Sequence, residues 1–340
     1  MSQRIDPHRH AVIRDMVRQL REQPARIAVL GDMILDNSIE GEPHGFHPET
    51  RVPVLGDATS QESVGGAANI ATALQRLGCE VTLFGVVGSD LPGRQLENLL
   101  DRQPFTSHLV TERGWPTPRK DWIYRRHEGR VEMIQRIDYD RPLPGKAREE
   151  MVGEFRARCP EGVEVVVLAD HGLGCIGPET LAVIGLAKQR GAKLVAIPRT
   201  LVLRGQPVDA IVINAVEMRR LAQAGEQADP KLLAARYARD YNQHVFLTLF
   251  DEGVVVCPAG LREASGTLCE GFPIENPDWM GARDITTAIV ALGLAQNRGL
   301  EDIGRVSVVF RHLVAGQRGN GRVLWHDVYR FLGMDPSEAR

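Results

Sequence analysis

The chain has 340 residues, a net charge of −3, 43% hydrophobic residues, 25% charged residues and 5% aromatics, enough for one large domain or two small ones with a buried core. A net charge near zero supplies no basic field for nucleic acid, and no run of about 18 apolar residues offers a membrane span. The N-terminus lacks the apolar core of a signal peptide and the five scattered cysteines form no CxxC pair, so neither a disulfide framework nor a zinc site is signalled and the expectation is a soluble cytoplasmic protein.

Residues 1–24 are polar, with a weak helical pattern over Ala11–Leu20, and read as a surface extension. The apolar run ARIAVLGD then reads as a buried strand ending in a turn at Gly31-Asp32. Similar runs recur at 81–88, 163–170, 192–198, 210–214 and 245–250. Between them lie the helical patterns Ala67–Leu77, Gly93–Leu100, Pro178–Gln189, Glu217–Ala224 and Pro230–Tyr241, and an apolar helix is expected over 285–296. Continuous apolar strands alternating with amphipathic helices predict an α/β fold with a mostly parallel sheet covered on both faces. Ligands of such folds sit beyond the carboxyl ends of the strands. Two stretches, 37–55 and 107–138, are rich in turn residues, Thr, Val and charge. Their alternation predicts exposed strands, and they read as a small β lid or a dimer contact. The remaining segments, 25–36, 56–106 and 139–332, form the α/β core.

Four clusters have the residue types for chemistry. Gly65-Gly66-Ala67-Ala68-Asn69 opens a helix, where a ligand can approach the backbone and find unpaired N–H donors; a tight turn is the plain alternative. Asp32 and Asp36 follow the first strand, where a carboxylate can accept bonds from sugar hydroxyls or simply cap a turn. Asp278-Trp279-Met280-Gly281-Ala282-Arg283-Asp284 precedes the apolar helix. Its backbone can form an anion site and Asp284 can act as a general base or as a helix cap. Asn214-Ala215-Val216-Glu217 ends a strand with groups able to order a magnesium–phosphate assembly through water. No GxxxxGK[ST], GxSxG or HExxH is present.

Taken in order, these clusters resemble the ribokinase-like (PfkB) carbohydrate kinases, and more narrowly the heptose-7-phosphate kinases, from about residue 26 to 325. Gly31-Asp32…Leu35-Asp36 is similar to the family's GDxxLD, and His47-Pro48-Glu49…Val52-Pro53-Val54 to SPEAPVPV. Gly65 to Ala71 reads GGAANIA against GGAANVA, and Leu77-Gly78 with Gly85 to Asp90 continues the match. Lys120, Arg136 and Asp138 fall where the lid segment of those kinases has Lys, Arg and Asp. The resemblance implies a three-layer core with a β lid, an ATP-dependent sugar kinase using magnesium, and a homodimer through the lid. It implies that Asp36, Gly65, Gly66 and Asn69 hold the sugar, with Asp32, Lys120 and Arg136 on the same side. It further implies that Asp284 takes the hydroxyl proton while backbone amides around Gly281, Ala282 and Arg283 stabilise the transferred phosphoryl group. Asn214 and Glu217 would organise magnesium, with Thr248 and Gly253 on the nucleotide side; no directly bound metal ligand is assigned.

The pattern departs on the nucleotide side. The family's TGAGD reads Met280-Gly281-Ala282-Arg283-Asp284, so a Gly has become Arg. That Arg can crowd the anion site or supply a guanidinium to phosphate. DYxKG reads Asp170-His171-Gly172-Leu173-Gly174, and DPK reads Ile197-Pro198-Arg199. The second exchange carries little weight, because the 41 basic residues divide into 5 Lys and 36 Arg. Val308 stands where an Asn is expected, and Phe250 where a small or polar residue is usual. Leu173, Ile197, Met280 and Arg283 thus set two functions side by side. One is a kinase acting on a heptose 7-phosphate or related sugar phosphate. The other is a pseudokinase that binds the sugar phosphate with little or no transfer. Arg51, Lys120, Arg125, Arg126 and Arg136 are the candidates for holding a phosphate already on the substrate.

Overall fold

The structure, a computed structural model, describes residues 7–339. Helix α1 (Pro7–Glu22) leads into β1 (Arg26–Gly31), followed by a long hairpin of β2 (Met33–Phe46) and β3 (Pro53–Gly66). Next come α2 (Ala67–Arg76), β4 (Glu80–Gly88), α3 (Leu91–Leu100) and β5 (Thr106–Glu112), then a second hairpin of β6 (Arg119–His127) and β7 (Arg130–Tyr139). The alternation continues through α4 (Gly145–Arg158), β8 (Val165–Ala169), α5 (Leu181–Gln189), β9 (Lys193–Ile197), β10 (Ala210–Asn214), α6 (Ala215–Leu221), α7 (Pro230–Tyr241) and β11 (His244–Leu249). Strands β12 (Gly253–Cys257) and β13 (Thr267–Glu270) precede α8 (Ala282–Ala295), α9 (Leu300–Ala315) and α10 (Trp325–Phe331).

The main sheet has nine strands in the order β13-β12-β11-β10-β9-β8-β1-β4-β5. It is parallel from β5 to β11, and β12 and β13 add an antiparallel edge. Side chains alternate across a strand, so each apolar run feeds two cores. Ile27 and Val29 of β1 join the cluster built with α1, α2, α8 and α9, while Ala28 and Leu30 face the cluster built with α4 to α7. Covering both faces explains why these strands read as unbroken apolar runs. Among the described residues no helix is long and apolar enough to cross a membrane.

Two expectations need correction. The N-terminal segment is not only a surface extension. Ile13, Val17 and Leu20 of α1 recur at helical spacing, are at most 2% exposed and belong to the core cluster beside α9; residues 1–6 lie outside the described residues. The second sheet, of order β3-β2-β6-β7, has other bounds than the patterning predicted. Residues 56–66 continue its strand β3, because they pair along β2 as far as Met33↔Gly66. Residues 106–112 leave it, pairing with β4 at the edge of the main sheet.

Glycine is required where β1 meets β8. A Cβ on Gly31 would lie 2.2 Å from the carbonyl oxygen of Ala169, and that backbone cannot retreat without breaking the sheet. Gly31→Ala should lower the unfolding free energy by about 1–3 kcal/mol, read from the midpoint of urea denaturation. An unchanged midpoint would show that the two strands have room to part.

Candidate active site

The carboxyl ends of β1, β8, β9 and β10 meet the second sheet, and Asp32 fixes that junction. It is fully buried, and its carboxylate accepts backbone N–H bonds from His171 (2.7 Å), Leu173 (3.1 Å) and Cys175 (2.7 Å). Its carbonyl accepts from Ala67 N at 2.9 Å, at the start of α2. Three N–H bonds would ordinarily depress a carboxyl pKa. Here burial and the neighbouring Asp170 outweigh them and raise it to about 6. Asp32 does not line the cavity, which corrects its expected place among the sugar ligands: its bonding capacity is taken by the 171–175 loop.

The cavity itself has a volume of about 220 Å³. On one wall Asp36 accepts from Trp122 Nε1 (2.9 Å) and Asn320 Nδ2 (2.8 Å). Gly65 is what admits this carboxylate, since a Cβ there would fall 2.1 Å from Asp36 Oδ2. Gly66, with φ of 60°, turns the chain into α2. Two residues into that helix, Asn69 Nδ2 donates to Asp284 Oδ2 at 2.7 Å. Burial raises the pKa of Asp36 and is only partly offset by Trp122 and Asn320. Asp284 is pushed up to about 6, mainly by burial, against the lowering influence of Arg283 and Asn69. Lys120 and Arg136 of the second sheet line the same cavity. Arg136 lies over the Trp122 ring at 5.0 Å and is paired with Asp138, while burial lowers the Lys120 pKa. Asn320, outside the four clusters singled out from the sequence, sits in a Gly-Asn-Gly turn after α9, a short local signal.

Gly281 has φ of 74° and opens α8, with Ala282 buried behind it. The side chain of Arg283 leaves that turn and bonds both carboxylate oxygens of Glu217. Arg199 Nη1 approaches Glu217 Oε1 at 3.9 Å. Arg283 Nη2 also faces His171 Nδ1 at 3.4 Å. A guanidinium only donates, so Nδ1 accepts and the imidazole proton resides on Nε2, which is buried without a partner among the described residues. Burial, with Arg283, Lys120 and Arg199 nearby, holds His171 well below its ordinary pKa and therefore neutral. Asn214 caps α6: its Oδ1 accepts from Glu217 N at 2.8 Å. With Glu217 committed to two arginines, the residues present do not fit a magnesium ion held there. Among the described residues no group of three or more His, Cys, Asp or Glu could hold a metal.

The expected nucleotide side is narrow around Gly253. Gly253 (φ 120°) borders a cavity of about 10 Å³ together with Phe250, Trp279, Val308 and Arg311, which is space for about one water. Phe250 packs edge-on against Trp279, with ring centres 5.8 Å apart, and Arg311 lies 5.4 Å from the same ring. Burial lowers the Arg311 pKa to about 10. Thr248 is buried, its hydroxyl directed to the Ile213 carbonyl at 3.4 Å, and borders neither cavity. Leu173 and Ile197 are core residues, and Met280 lines the larger cavity.

The chain is similar to known proteins in sequence and in fold. Residues 24–119 match the model of the pfkB family carbohydrate kinases. The chain is 26% identical over 317 residues to the bifunctional protein HldE of Bradyrhizobium sp. (strain ORS 278), covering 89% of this chain and 63% of that protein. It is 34% identical over 152 residues to a D-beta-D-heptose 7-phosphate kinase of Bordetella bronchiseptica, covering 45% and 47%. The match to HldE thus spans a little under two thirds of that relative's length. In fold, it aligns with phosphofructokinase-2 from Escherichia coli in complex with potassium (TM-score 0.73, 16% identity, 92% of this chain and 100% of that one). A putative ribokinase from Agrobacterium tumefaciens aligns with a TM-score of 0.67 at 18% identity, over 92% and 98% of the two chains. In sequence this chain is thus similar to the PfkB carbohydrate kinases, and its fold is the ribokinase-like one.

Proposed function

We propose that the chain is a cytoplasmic sugar kinase that transfers a phosphoryl group from ATP to a hydroxyl of a heptose 7-phosphate or related sugar phosphate. The observation that carries this reading is the acceptor-side constellation: Asp36, Asn320 and Asp284 line one cavity, and Asn69 links Asp284 to Asn320 by hydrogen bonds behind it. Asp36 and Asn69 would hold sugar hydroxyls. Asp284, raised to about 6 yet ionised at neutral pH, would accept the proton of the attacking hydroxyl. The oxygen–phosphorus bond to the sugar forms as the donor's phosphorus–oxygen bond breaks. Phosphoryl transfer needs positioning and charge stabilisation more than covalent chemistry, and Arg283 and Arg199 bring positive charge to the place where the resemblance calls for magnesium. Five free, buried cysteines suit a reducing compartment.

A second reading, binding of the sugar phosphate with little or no transfer, is favoured by the donor side. The Arg283–Glu217 pair occupies the expected metal-organising carboxylate, and Phe250, Trp279 and Arg311 leave about 10 Å³ where a nucleotide would enter. Titration calorimetry with ATP, with and without heptose 7-phosphate, separates the two. ATP binding in the micromolar-to-millimolar range with turnover supports the kinase; sugar-phosphate binding without ATP binding supports the second reading. In Arg283→Gly the kinase reading expects turnover to fall, because a recruited guanidinium is lost. A rise in turnover would identify Arg283 as an obstruction.

Under the kinase reading, Asp284→Asn should lower turnover by about 10²–10⁴ with sugar binding retained. The base must be deprotonated, so the wild-type rate should rise with pH to a plateau with an inflection near the Asp284 pKa of about 6. A rate flat between pH 5 and 8 (roughly one unit below that pKa to two above it) would remove Asp284 as the base.

We also propose a homodimer through the lid. Phe46, Val52, Val54, Met133 and Ile134 on or beside its strands are 36–57% exposed, and among the described residues the outer edges of β3 and β7 are unpaired in the second sheet. Exposed apolar edges of this kind are usually covered. Light scattering should give about twice 37.6 kDa, and a monomer mass would count against the dimer.

A further inference from the structure

The lid offers few free cations for a phosphate already on the sugar. Arg125 is paired with Glu132, Arg126 with Glu40 and Arg136 with Asp138, and Arg51 lies over the Phe46 ring. Lys120, which lines the first cavity, has no ion-pair partner among the described residues, and further uncommitted cations lie on the other side of Asn320. A second cavity of about 110 Å³ is lined by Ser63, Asn69, Thr72, Arg76 and Arg322, and Asn320, whose amide is bonded to Asp36, Val64 and Asn69, forms the wall it shares with the first. Among the described residues neither the Arg76 nor the Arg322 guanidinium has a hydrogen-bond or ion-pair partner. Arg76 is part-buried, and both burial and the neighbouring Arg322 push its pKa down, with no carboxylate acting against them. Glu62, on the same rim, accepts a bond from Gln95 at 2.6 Å. Two like charges drawn together beside a polar cavity are a place that an anion would stabilise.

The spacing is also informative. Asn69, Thr72 and Arg76 share one face of α2, at helical intervals. Asn69 touches Asp284, and at 1.5 Å per residue Arg76 lies roughly 10 Å further along the helix. That is about the span of a phosphorylated seven-carbon sugar from a hydroxyl at one end to the phosphate at the other.

We propose that Arg76 and Arg322 form the subsite for the phosphate already carried by the acceptor sugar. The protein thereby selects an elongated sugar phosphate whose free hydroxyl meets Asp284 while its phosphate lies two turns along α2. The inference rests on the acceptor-site reading of the first cavity.

Calorimetry on the full chain tests it with heptose 7-phosphate and with the same heptose lacking phosphate. Arg76→Gln and Arg322→Gln should each weaken the phosphorylated sugar by about 10–100-fold, leave the unphosphorylated one unchanged, and recover in part in Arg76→Lys. Equal affinity of wild type and both variants for heptose 7-phosphate overturns the subsite. Asp36→Ala should weaken both sugars. If it weakens neither, or wild type binds neither, the acceptor-site reading fails. The subsite is then judged with inorganic phosphate alone: a phosphate-dependent rise in Tm that disappears in Arg76→Gln supports it. No rise, or a rise that survives the substitution, overturns it.

Discussion

A buried carboxylate must find donors, and in this chain Asp32 finds them in a loop nearly 140 residues away. By accepting the backbone N–H groups of His171, Leu173 and Cys175, it fixes the path of the chain after β8 and places His171 beside Arg283. Its own carbonyl receives Ala67 N, which sets the entry of α2 and so the position of Asn69. One residue therefore aligns three segments that have no sequence proximity. Asp170 does the same one strand over, accepting from Gly172, Arg199 and Thr200. Both carboxyls pay for burial with raised pKa values, so this part of the framework is better satisfied on its mildly acidic side. A carboxyl whose folded pKa is raised gives stability that is complete below its unfolded pKa and is lost as pH rises through the folded one.

The cavity is a joint product of two sheets. The main sheet supplies Asp284 through α8 and Glu217 through α6. The second sheet supplies Trp122, which donates to Asp36, and Tyr124, whose hydroxyl donates to Asp278 at 2.9 Å. Asp278 also receives the backbone N–H of Gly319. The turn that opens α8 is thereby held by the lid and by the Asn320 turn together. Any movement of β6 away from the core breaks the Tyr124 bond and loosens the turn that carries Met280, Gly281 and Arg283. Substrate entry and the shape of the anion-facing turn are mechanically linked.

Much of this was legible in the sequence, and the failures have physical causes. Six of the seven strands of the parallel part of the sheet are short apolar runs with polar ends, so their positions could be read. The lid bounds could not, because β3 changes from exposed to buried along one uninterrupted strand, and β5 is polar enough to pass for a lid strand although it pairs with β4. Asp32 and Asp36 look alike in the sequence, each following an apolar run. Only the three-dimensional path of residues 171–175 shows that the first is consumed internally while the second borders the cavity. Asn214 is a helix cap by local geometry, a role its spacing to Glu217 permitted but did not distinguish from metal ordering. The partnership of Arg283 with Glu217 joins the first turns of α8 and α6, helices that pack on opposite faces of the main sheet, and no local pattern encodes that meeting. Asn320 is marked in the sequence only by its Gly-Asn-Gly turn, which does not tell what the turn faces.

The scarcity of lysine gives the cavity a chemical handle. Of the five lysines in the chain, Lys120 alone lines it, and the guanidinium groups around it are inert to most acylating reagents. Burial lowers the Lys120 pKa, so a larger fraction of its amine is unprotonated at neutral pH than for an ordinary surface lysine. A small amine-directed reagent that fits the cavity would therefore report on whether it is occupied. Mass-spectrometric footprinting of one residue could then follow ligand entry without labelling the ligand.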